Sequence, residues 1–198
     1  MNGRRMIACA AFALAACGRG ERFDPRGGDR LDDVWPRPAP ALRLQQQDGT
    51  WFNLAAERGR VVVLFFGYTH CPDVCPTTLS DFVSAKRALG PRAERVRWVF
   101  VSVDFRRDGP AEAMRYGRAF DSTFVGLAGD SAALAPIMQG FMVAAFMEPA
   151  DSAGNYAVTH SSQVFVVDPA GRIRRPVRWG EARAQDIRRA VEEALEGT

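Results

Sequence analysis

Two cysteines and one histidine form the most chemically specific pattern in this 198-residue sequence. Cys71 and Cys75 are separated by three residues in the segment CPDVCP, between an apolar strand pattern and a helical pattern. This spacing lets both sulfurs approach one ion and still permits a disulfide bond. Thiolates bind soft metals and attack disulfides, so the pair predicts a metal site or thiol–disulfide chemistry.

His160 is the candidate third ligand, because it follows a polar loop that can fold over the turn holding Cys71 and Cys75. Two thiolates and one imidazole make a soft three-coordinate site that suits Cu(I) and can hold Cu(II), whereas structural zinc prefers four ligands. A single histidine before a strand can also be an ordinary packed or surface residue. His70 adjoins Cys71, and adjacent side chains of an extended segment point in opposite directions, so we do not expect it to be a ligand.

A purely structural disulfide between Cys71 and Cys75 is the alternative to a functional site. It would close a loop too short to constrain the unfolded chain much. A domain of this size buries roughly 70% of its unfolded surface and does not need disulfides in order to fold. The two cysteines therefore favour a functional site.

Composition excludes several classes of protein. The chain is 47% hydrophobic and 25% charged, as folded domains are, and no 18-residue apolar run predicts a spanning helix. The 26 Lys and Arg residues stand against 23 Asp and Glu residues, and the arginines are scattered along the chain. We therefore expect no nucleic-acid partner, since that would call for a concentrated basic face.

The N-terminal sequence predicts export and lipidation. An apolar stretch from Met6 to Ala16 follows two arginines and is too short to cross a bilayer. The segment LAAC, which ends at Cys17, resembles the bacterial lipobox, in which the cysteine is diacylated and becomes the new N-terminus. We expect a signal peptide over residues 1–16 and a lipidated N-terminus with a flexible tether over residues 17–40. A plain signal peptide cut near Ala16 is the alternative.

Residues 41–198 predict one α/β domain that positions the cysteine turn. Two short strands flank Asp48-Gly49 between Leu42 and Leu54. Further strands are predicted over Val61–Phe66, Val96–Val103, Phe124–Leu127, Gln163–Val167 and Arg172–Trp179, with helices after Pro76 as far as Leu89 and over Pro110–Phe120, Ser131–Phe141 and Ala184–Leu195. Met147 to Asn155 predicts a loop. This order implies a central mixed sheet flanked by helices, with an N-terminal β-hairpin.

Pro76 places Cys75 near the start of a helix. Proline disfavours helical geometry in the preceding residue and suits the first helical position itself, so Cys75 is predicted near the N-cap. Unpaired N–H groups and the helix dipole at that position favour a thiolate.

The sequence resembles the Sco/SenC family of copper-binding assembly factors for cytochrome c oxidase. The resemblance covers about residues 40–195 and rests on FFGYTHCPDVCP at 65–76, on VSVD and RD within 101–108, and on HS and VVDPAG within 160–171. It implies a thioredoxin-like fold in which Cys71, Cys75 and His160 bind copper as Cu(I) or Cu(II). It also implies that the two cysteines form a redox-active pair, disulfide-bonded when oxidised.

Further expectations about location and ligand support follow from the resemblance. It implies a membrane-anchored protein that faces the periplasm, and the lipobox would supply a lipid anchor in place of the usual transmembrane helix. Gly18 leaves the choice of inner or outer membrane open. Asp104 matches a family acidic residue near the site and is a candidate for an outer-shell role, or an ordinary turn residue. Thr159 stands where the family commonly has Asp, which predicts a missing or weaker hydrogen bond to the His160 ring.

Two functions remain open at this point. The first is a metallochaperone, not an enzyme, that takes copper from a periplasmic donor and passes it to oxidase subunit II or another copper protein. The second is a thiol–disulfide oxidoreductase that reduces the cysteines of the oxidase copper site and is itself reset by a periplasmic thiol reductant. A peroxide-reducing relative is disfavoured, because the Thr-Pro-Val turn with a single activated cysteine is absent.

Overall fold

The computed structural model describes residues 35–174, 176–178 and 183–197. The predicted signal peptide over 1–16, Cys17 and most of the predicted tether lie outside these residues and stay predictions. Within the described residues, no helix combines the length and the apolar character needed to cross a membrane.

The described chain forms ten strands and four α-helices. The strands are β1 (Arg37–Pro38), β2 (Arg43–Gln45), β3 (Trp51–Asn53), β4 (Val61–Gly67), β5 (Val96–Ser102), β6 (Val125–Leu127), β7 (Ala145–Met147), β8 (Val158–His160), β9 (Val164–Val167) and β10 (Arg172–Ile173). The helices are α1 (Val74–Leu89), α2 (Pro110–Phe120), α3 (Ser131–Phe141) and α4 (Ala184–Glu196). Short 3-10 turns cover Leu54–Glu57 and Gly90–Arg95.

A six-stranded mixed sheet in the order β1-β10-β9-β4-β5-β6 forms the centre of the domain. Strands β4, β5 and β6 are parallel, whereas β9 runs antiparallel to β4. Strand β4 is buried along its whole length, as its continuous apolar sequence requires of a strand covered on both faces. The mixed sheet and the N-terminal hairpin, formed by β2 and β3, confirm the predicted fold class.

Helices cover both faces of the sheet. Phe82 of α1 packs against Trp98 of β5, and the rings lie 5.3 Å apart. Phe141 of α3 packs at the same distance against Phe66 of β4. The register pairs Trp98 with Val63, and alternate residues of a strand face opposite sides, so Phe66 lies on the other face from Trp98. The sequence pattern therefore places α1 and α3 on different sides of β4 and β5.

Three features of the secondary structure differ from the sequence-based expectations. Helix α1 begins at Val74, so Cys75 is its second residue and Pro76 its third; proline is tolerated there because the first helical N–H groups lack intrahelical partners. The hairpin of β7 and β8 was not predicted, since three-residue strands are too short to show alternation. The strand expected as far as Trp179 is β10 followed by an isolated bridge at Val177, and Trp179 itself lies outside the described residues.

Candidate metal centre

The two cysteines lie where β4 leads into α1. Cys71 lies in the turn, where its N–H donates to the carbonyl of Tyr68 (3.3 Å), and Cys75 lies in the first turn of α1. The N–H of Cys75 donates to the Cys71 sulfur at 3.4 Å. Gly67 makes room for this arrangement, because a Cβ at that position would lie 2.7 Å from the Cys75 sulfur. The end of β4 and the start of α1 therefore hold the two sulfurs together.

The hairpin of β7 and β8 brings His160 to the cysteines. His160 ends β8 and pairs with Ala145 of β7, and its Nε2 lies 3.6 Å from the Cys75 sulfur. One ligand atom from each of Cys71, Cys75 and His160 lies within 4.8 Å of the others. The structure thus assembles the three residues that the sequence singled out as ligands, from segments 85 positions apart.

The surroundings of His160 orient its ring for metal binding. Its Nδ1 lies 2.9 Å from the backbone carbonyl of Ser161, and because a carbonyl oxygen only accepts, Nδ1 carries the proton. The lone pair of the neutral ring is then on Nε2, the atom that faces Cys75. Edge contacts with Tyr68 and Phe65, at 5.8 and 6.0 Å between ring centres, fix the ring further.

The hydrogen bond to the His160 ring, predicted to be missing or weaker because residue 159 is Thr, is made by the backbone instead. The Thr159 hydroxyl donates to the Glu148 carboxylate at 2.7 Å, and so it does not serve the His160 ring. The carbonyl of Ser161 takes over the outer-shell position and fixes the tautomer of His160. This partner could not be read from side-chain types, because a main-chain carbonyl is present at every residue.

The two thiols differ in acidity. The hydrogen bond from the Cys75 thiol, helped by backbone N–H groups of Cys75 and Asp73, lowers the pKa of Cys71 to about 5 despite its partial burial. The same hydrogen bond and burial raise the pKa of Cys75, whose side chain is fully enclosed. Cys71 is therefore the thiolate of the reduced, metal-free pair, and Cys75 must lose a proton when a metal binds.

The donor set fits a soft metal ion. Two sulfurs and one imidazole nitrogen converge, and this group contains no carboxylate. Sulfur-rich sites favour Cu(I) over hard cations such as Mg²⁺ and Ca²⁺. A recess of about 360 Å³ opens beside Cys71 and His160, so a second molecule can approach the site from solvent.

Asp108 is a supporting residue to which sequence reasoning assigned no role. Its buried carboxylate accepts hydrogen bonds from the Thr69 N–H (2.8 Å), the Thr69 hydroxyl (2.6 Å) and the Ser102 hydroxyl (2.6 Å). These bonds tie the segment just before Cys71 to the end of β5. His70 lies beside them, with Nδ1 3.7 Å from Asp108 and its side chain exposed. Asp108 is the aspartate of the RD motif at 107–108. A single carboxylate in a loop forms no repeating pattern, so the sequence does not show which groups it bonds.

Asp104 is also buried but supports the site from a greater distance. It pairs with the guanidinium of Arg107 and accepts a hydrogen bond from the Tyr156 hydroxyl at 2.7 Å. Arg107 stacks on Tyr156, 3.6 Å from its ring centre, and lies 5.8 Å from the ring of Tyr68, which contacts His160. Through these contacts Asp104 orders the loop after β5.

Comparison of the sequence with known proteins finds a matching family profile and several similar proteins. The profile of the SCO1/SenC family matches residues 38–196. A protein of Stutzerimonas stutzeri that is named for copper binding is 32% identical over 146 residues, which are 72% of this chain and 70% of that protein. The chain spans 44% of the length of the bovine mitochondrial SCO2 homologue, with 35% identity over 116 residues.

Solved structures with the same fold include two relatives above 30% identity. The solution structures of apo Sco1 from Thermus thermophilus match with a TM-score of 0.73 and 36% identity, over 81% of this chain and 92% of that one. Bradyrhizobium japonicum ScoI with copper bound matches with a TM-score of 0.69 and 32% identity, over 81% of this chain and 98% of that one. These matches confirm the thioredoxin-like fold.

Proposed function

The chain belongs to the SCO1/SenC family, and from this premise we propose that it is a copper metallochaperone. Copper is its cargo, held by Cys71, Cys75 and His160. It delivers the ion to the binuclear copper site of cytochrome c oxidase subunit II or to another copper protein, after receiving it from a periplasmic donor.

The convergence of two sulfurs and one imidazole nitrogen within 4.8 Å is the observation that carries this proposal. A relative named for copper binding and a solved relative with copper bound support the choice of metal. The protonated Nδ1 of His160 leaves Nε2 free to bind, so the site needs no change of tautomer.

Differences in exposure among the ligands suggest how the cargo leaves. Cys71 and His160 line the open recess, whereas Cys75 is fully buried below them. A thiolate of the acceptor can therefore displace Cys71 or His160 first while Cys75 still holds the ion. Transfer as Cu(I) moves the ion without any change in oxidation state.

Thiol–disulfide exchange is the second candidate, favoured by the low pKa and partial exposure of Cys71. The Cys71 thiolate would attack a partner disulfide and form a mixed disulfide, and the partner thiolate would leave. Cys75 would then lose its proton and attack the Cys71 sulfur, which releases the second partner thiolate. Two electrons pass to the partner, and a periplasmic thiol reductant must reduce the resulting Cys71–Cys75 disulfide.

We further propose that the protein is anchored to a membrane, facing the periplasm, through a lipid on Cys17. The LAAC segment supports this location, and it agrees with cargo exchange outside the cytoplasm. Replacing Cys17 with Ser should release the chain from the membrane fraction and abolish labelling by a radioactive fatty acid. Unchanged labelling would refute lipidation at Cys17.

His160→Ala separates the two candidate chemistries. The reduced full chain is titrated with Cu(II) under anaerobic conditions and followed by optical and spin-resonance spectra. It should bind one equivalent of Cu(II) and show a thiolate-to-copper charge-transfer band. His160→Ala should weaken Cu(II) binding at least about tenfold, because it removes a ligand, and leave disulfide reduction largely intact. The matched control is His70→Ala, which removes the exposed histidine next to Cys71 and should change neither property.

Each outcome of this titration bears on the proposal. Unchanged copper affinity in His160→Ala would refute the three-ligand site. The absence of a charge-transfer band in the unaltered chain, together with rapid formation of the Cys71–Cys75 disulfide once air is admitted, would favour the oxidoreductase.

A further inference from the structure

Exposed aromatic side chains cluster beside the metal centre. In the described part of the chain, the exposed large hydrophobic residues are Trp51, Phe105, Met142 and Phe146. Phe146 is 66% exposed, although it belongs to the same hairpin that carries His160. Neighbouring exposed apolar side chains are typical of surfaces that bind another molecule.

Three of these residues lie along two neighbouring grooves. Phe105 and Phe146 line one groove of about 410 Å³, together with Met138 and Met147. Phe105 also lines a second groove of about 420 Å³, where it is joined by Trp51. Because Phe105 belongs to both, the grooves form one surface, which we call the aromatic face and define by Trp51, Phe105, Phe146, Arg43 and Arg106.

The aromatic face adjoins the opening of the metal centre. Val158 lines both the groove of Phe105 and Phe146 and the recess that contains Cys71 and His160. Val158 and His160 belong to the same three-residue strand, β8. A macromolecule whose ligands reach into the recess can therefore contact the aromatic face as well.

The exposed charge on this face is positive on balance, since Arg43 and Arg106 stand against one exposed carboxylate, that of Asp130. Arg43 stacks on Trp51 at 4.0 Å, and Arg106 lies 6.0 Å from the ring centre of Phe105. Two carboxylates line the grooves, and both accept hydrogen bonds within the fold. These are Asp108, bonded to Thr69 and Ser102, and Asp130, which accepts the Ala133 N–H at the start of α3.

We propose that the aromatic face docks an acidic partner protein, the one that exchanges copper with Cys71, Cys75 and His160. This inference rests on the proposed function and adds to it the surface and the charge of the partner. Aromatic and arginine side chains are the residue types that dominate binding energy at protein interfaces. Carboxylates around an apolar anchor on the partner would complement Arg43 and Arg106 and speed the encounter. If two copies of this chain bound through the same face, the arginines of one copy would lie near those of the other and repel them.

Copper transfer kinetics test this surface directly. The full chain carrying one Cu(I) is mixed with the purified soluble copper-binding domain of oxidase subunit II from the same organism, at several salt concentrations. The double variant Phe105→Ser/Phe146→Ser should lower the second-order transfer rate constant about tenfold or more, through lost apolar anchors. Arg106→Glu should lower it by a similar factor at low salt and reduce its dependence on salt.

Two control variants match these changes away from the face. Met142→Ser removes an exposed hydrophobic side chain that lines neither groove, and Arg115→Glu reverses an exposed charge on α2. Both should transfer copper at the rate of the unaltered chain. Cu(I) affinity, measured by competition with a chelator, should be equal in all four variants, since none changes a ligand.

The remaining outcomes overturn the inference in distinguishable ways. Aromatic-face variants that transfer copper at the normal rate would refute the docking surface while leaving the proposed function standing. An unaltered chain that binds copper but transfers none would refute this acceptor, and the assigned partner with it. If the variants change the sedimentation coefficient of the isolated chain and leave the transfer rate unchanged, the face binds a second copy of the chain.

Discussion

Cys71 and Cys75 differ in exposure and acidity, although they are four positions apart in one motif. Cys71 faces the recess and has a pKa lowered to about 5, whereas Cys75 lies fully buried under it. Gly67 is part of the same arrangement, since any side chain there would press on the Cys75 sulfur. The exposed thiolate suits exchange with another molecule, and the buried sulfur suits retention of the ion.

At the residue scale, Asp108→Asn should disturb the cysteine turn. The amide would place an NH₂ group where an oxygen now accepts hydrogen bonds from Thr69 and Ser102. We expect a loss of about 2 kcal/mol in unfolding free energy, measured by urea denaturation, because a buried charged acceptor is replaced. The copper charge-transfer band should also weaken or shift, since Thr69 lies two positions before Cys71.

Asp73→Asn is the matched control for this variant. Asp73 is an exposed carboxylate in the same turn, and it caps α1 without a side-chain hydrogen bond to the helix backbone. Its replacement should change stability by less than about 0.5 kcal/mol. Equal copper spectra in Asp108→Asn and the unaltered chain would show that Asp108 does not position Cys71.

At the scale of elements, the contact between α2 and β6 depends on a glycine. A Cβ on Gly126 would overlap the backbone of Ala113 and Met114, so Gly126→Ala must push the helix away from the strand. We expect a loss of about 3 kcal/mol in unfolding free energy, the upper range for overpacking. The measurement is the denaturation midpoint in urea.

Gly117→Ala, on the facing side of α2, is the control. Its Cβ would meet neighbours at 3.7 Å or more, an ordinary van der Waals contact. Alanine is the better helix former by up to about 1 kcal/mol, so this variant should be as stable as the unaltered chain or more stable. If the two variants had equal midpoints, the close packing at Gly126 would be refuted.

A second link between elements joins α1 to the end of α2. Lys86, the only lysine, donates to both carboxylate oxygens of Asp121 at 2.7 Å and to the Thr123 hydroxyl at 2.7 Å. Partial burial alone would raise the pKa of Asp121, but the hydrogen bonds from Lys86 and Thr123 lower it. A carboxylate with a lowered pKa stabilises the fold above its unfolded pKa of about 3.9, and this contribution is lost as the pH falls through the folded value.

Lys86→Met should therefore cost about 1 kcal/mol of unfolding free energy at pH 7. The difference between the variant and the unaltered chain should shrink as the pH falls below about 4, since protonated Asp121 gains little from Lys86. The control is Arg87→Met, which removes the adjacent, exposed cation. Urea denaturation at pH 7 and pH 3 measures both, and a difference that is independent of pH would contradict the assignment to Asp121.

At the scale of the whole molecule, the metal centre joins two distant parts of the chain. Cys71 comes from the turn after β4, Cys75 from the first turn of α1, and His160 from β8, 85 positions beyond Cys75. A ligand that binds all three stabilises only the folded chain, because the unfolded chain does not hold them together. Copper binding and global stability are therefore coupled.

Copper should raise the melting temperature of the reduced protein. At a free Cu(I) concentration about a hundredfold above Kd, the added stability is about 2.7 kcal/mol, which corresponds to a shift of roughly 5–10 °C at this chain length. Calorimetry under anaerobic conditions measures the shift. Cys75→Ser should abolish most of it; an equal shift in that variant would place the copper elsewhere.

The sequence predicted most of the strands and helices and singled out the residues that could bind a metal. Continuous apolar runs predicted β4 and β5, because strands covered on both faces need apolar side chains throughout. Cys71 and Cys75 were recognisable because their types and spacing are specific. His160 was recognisable because the only other histidine of the sequence, His70, adjoins Cys71. Lipidation of Cys17 stays a prediction from sequence.

Only the tertiary structure decided which groups support these residues. The carboxylate of Asp108 bonds to Thr69 from 39 positions away, and the hairpin of β7 and β8 brings His160 to the cysteines. The carbonyl of Ser161 adjoins His160 in the sequence, but only the folded geometry shows that it accepts a hydrogen bond from the ring. A single carboxylate or a three-residue strand has no periodicity from which its partner could be predicted. The exposure of Phe105 and Phe146 likewise depends on how the sheet and the hairpin pack, since an aromatic residue in a sequence is equally compatible with the core and the surface.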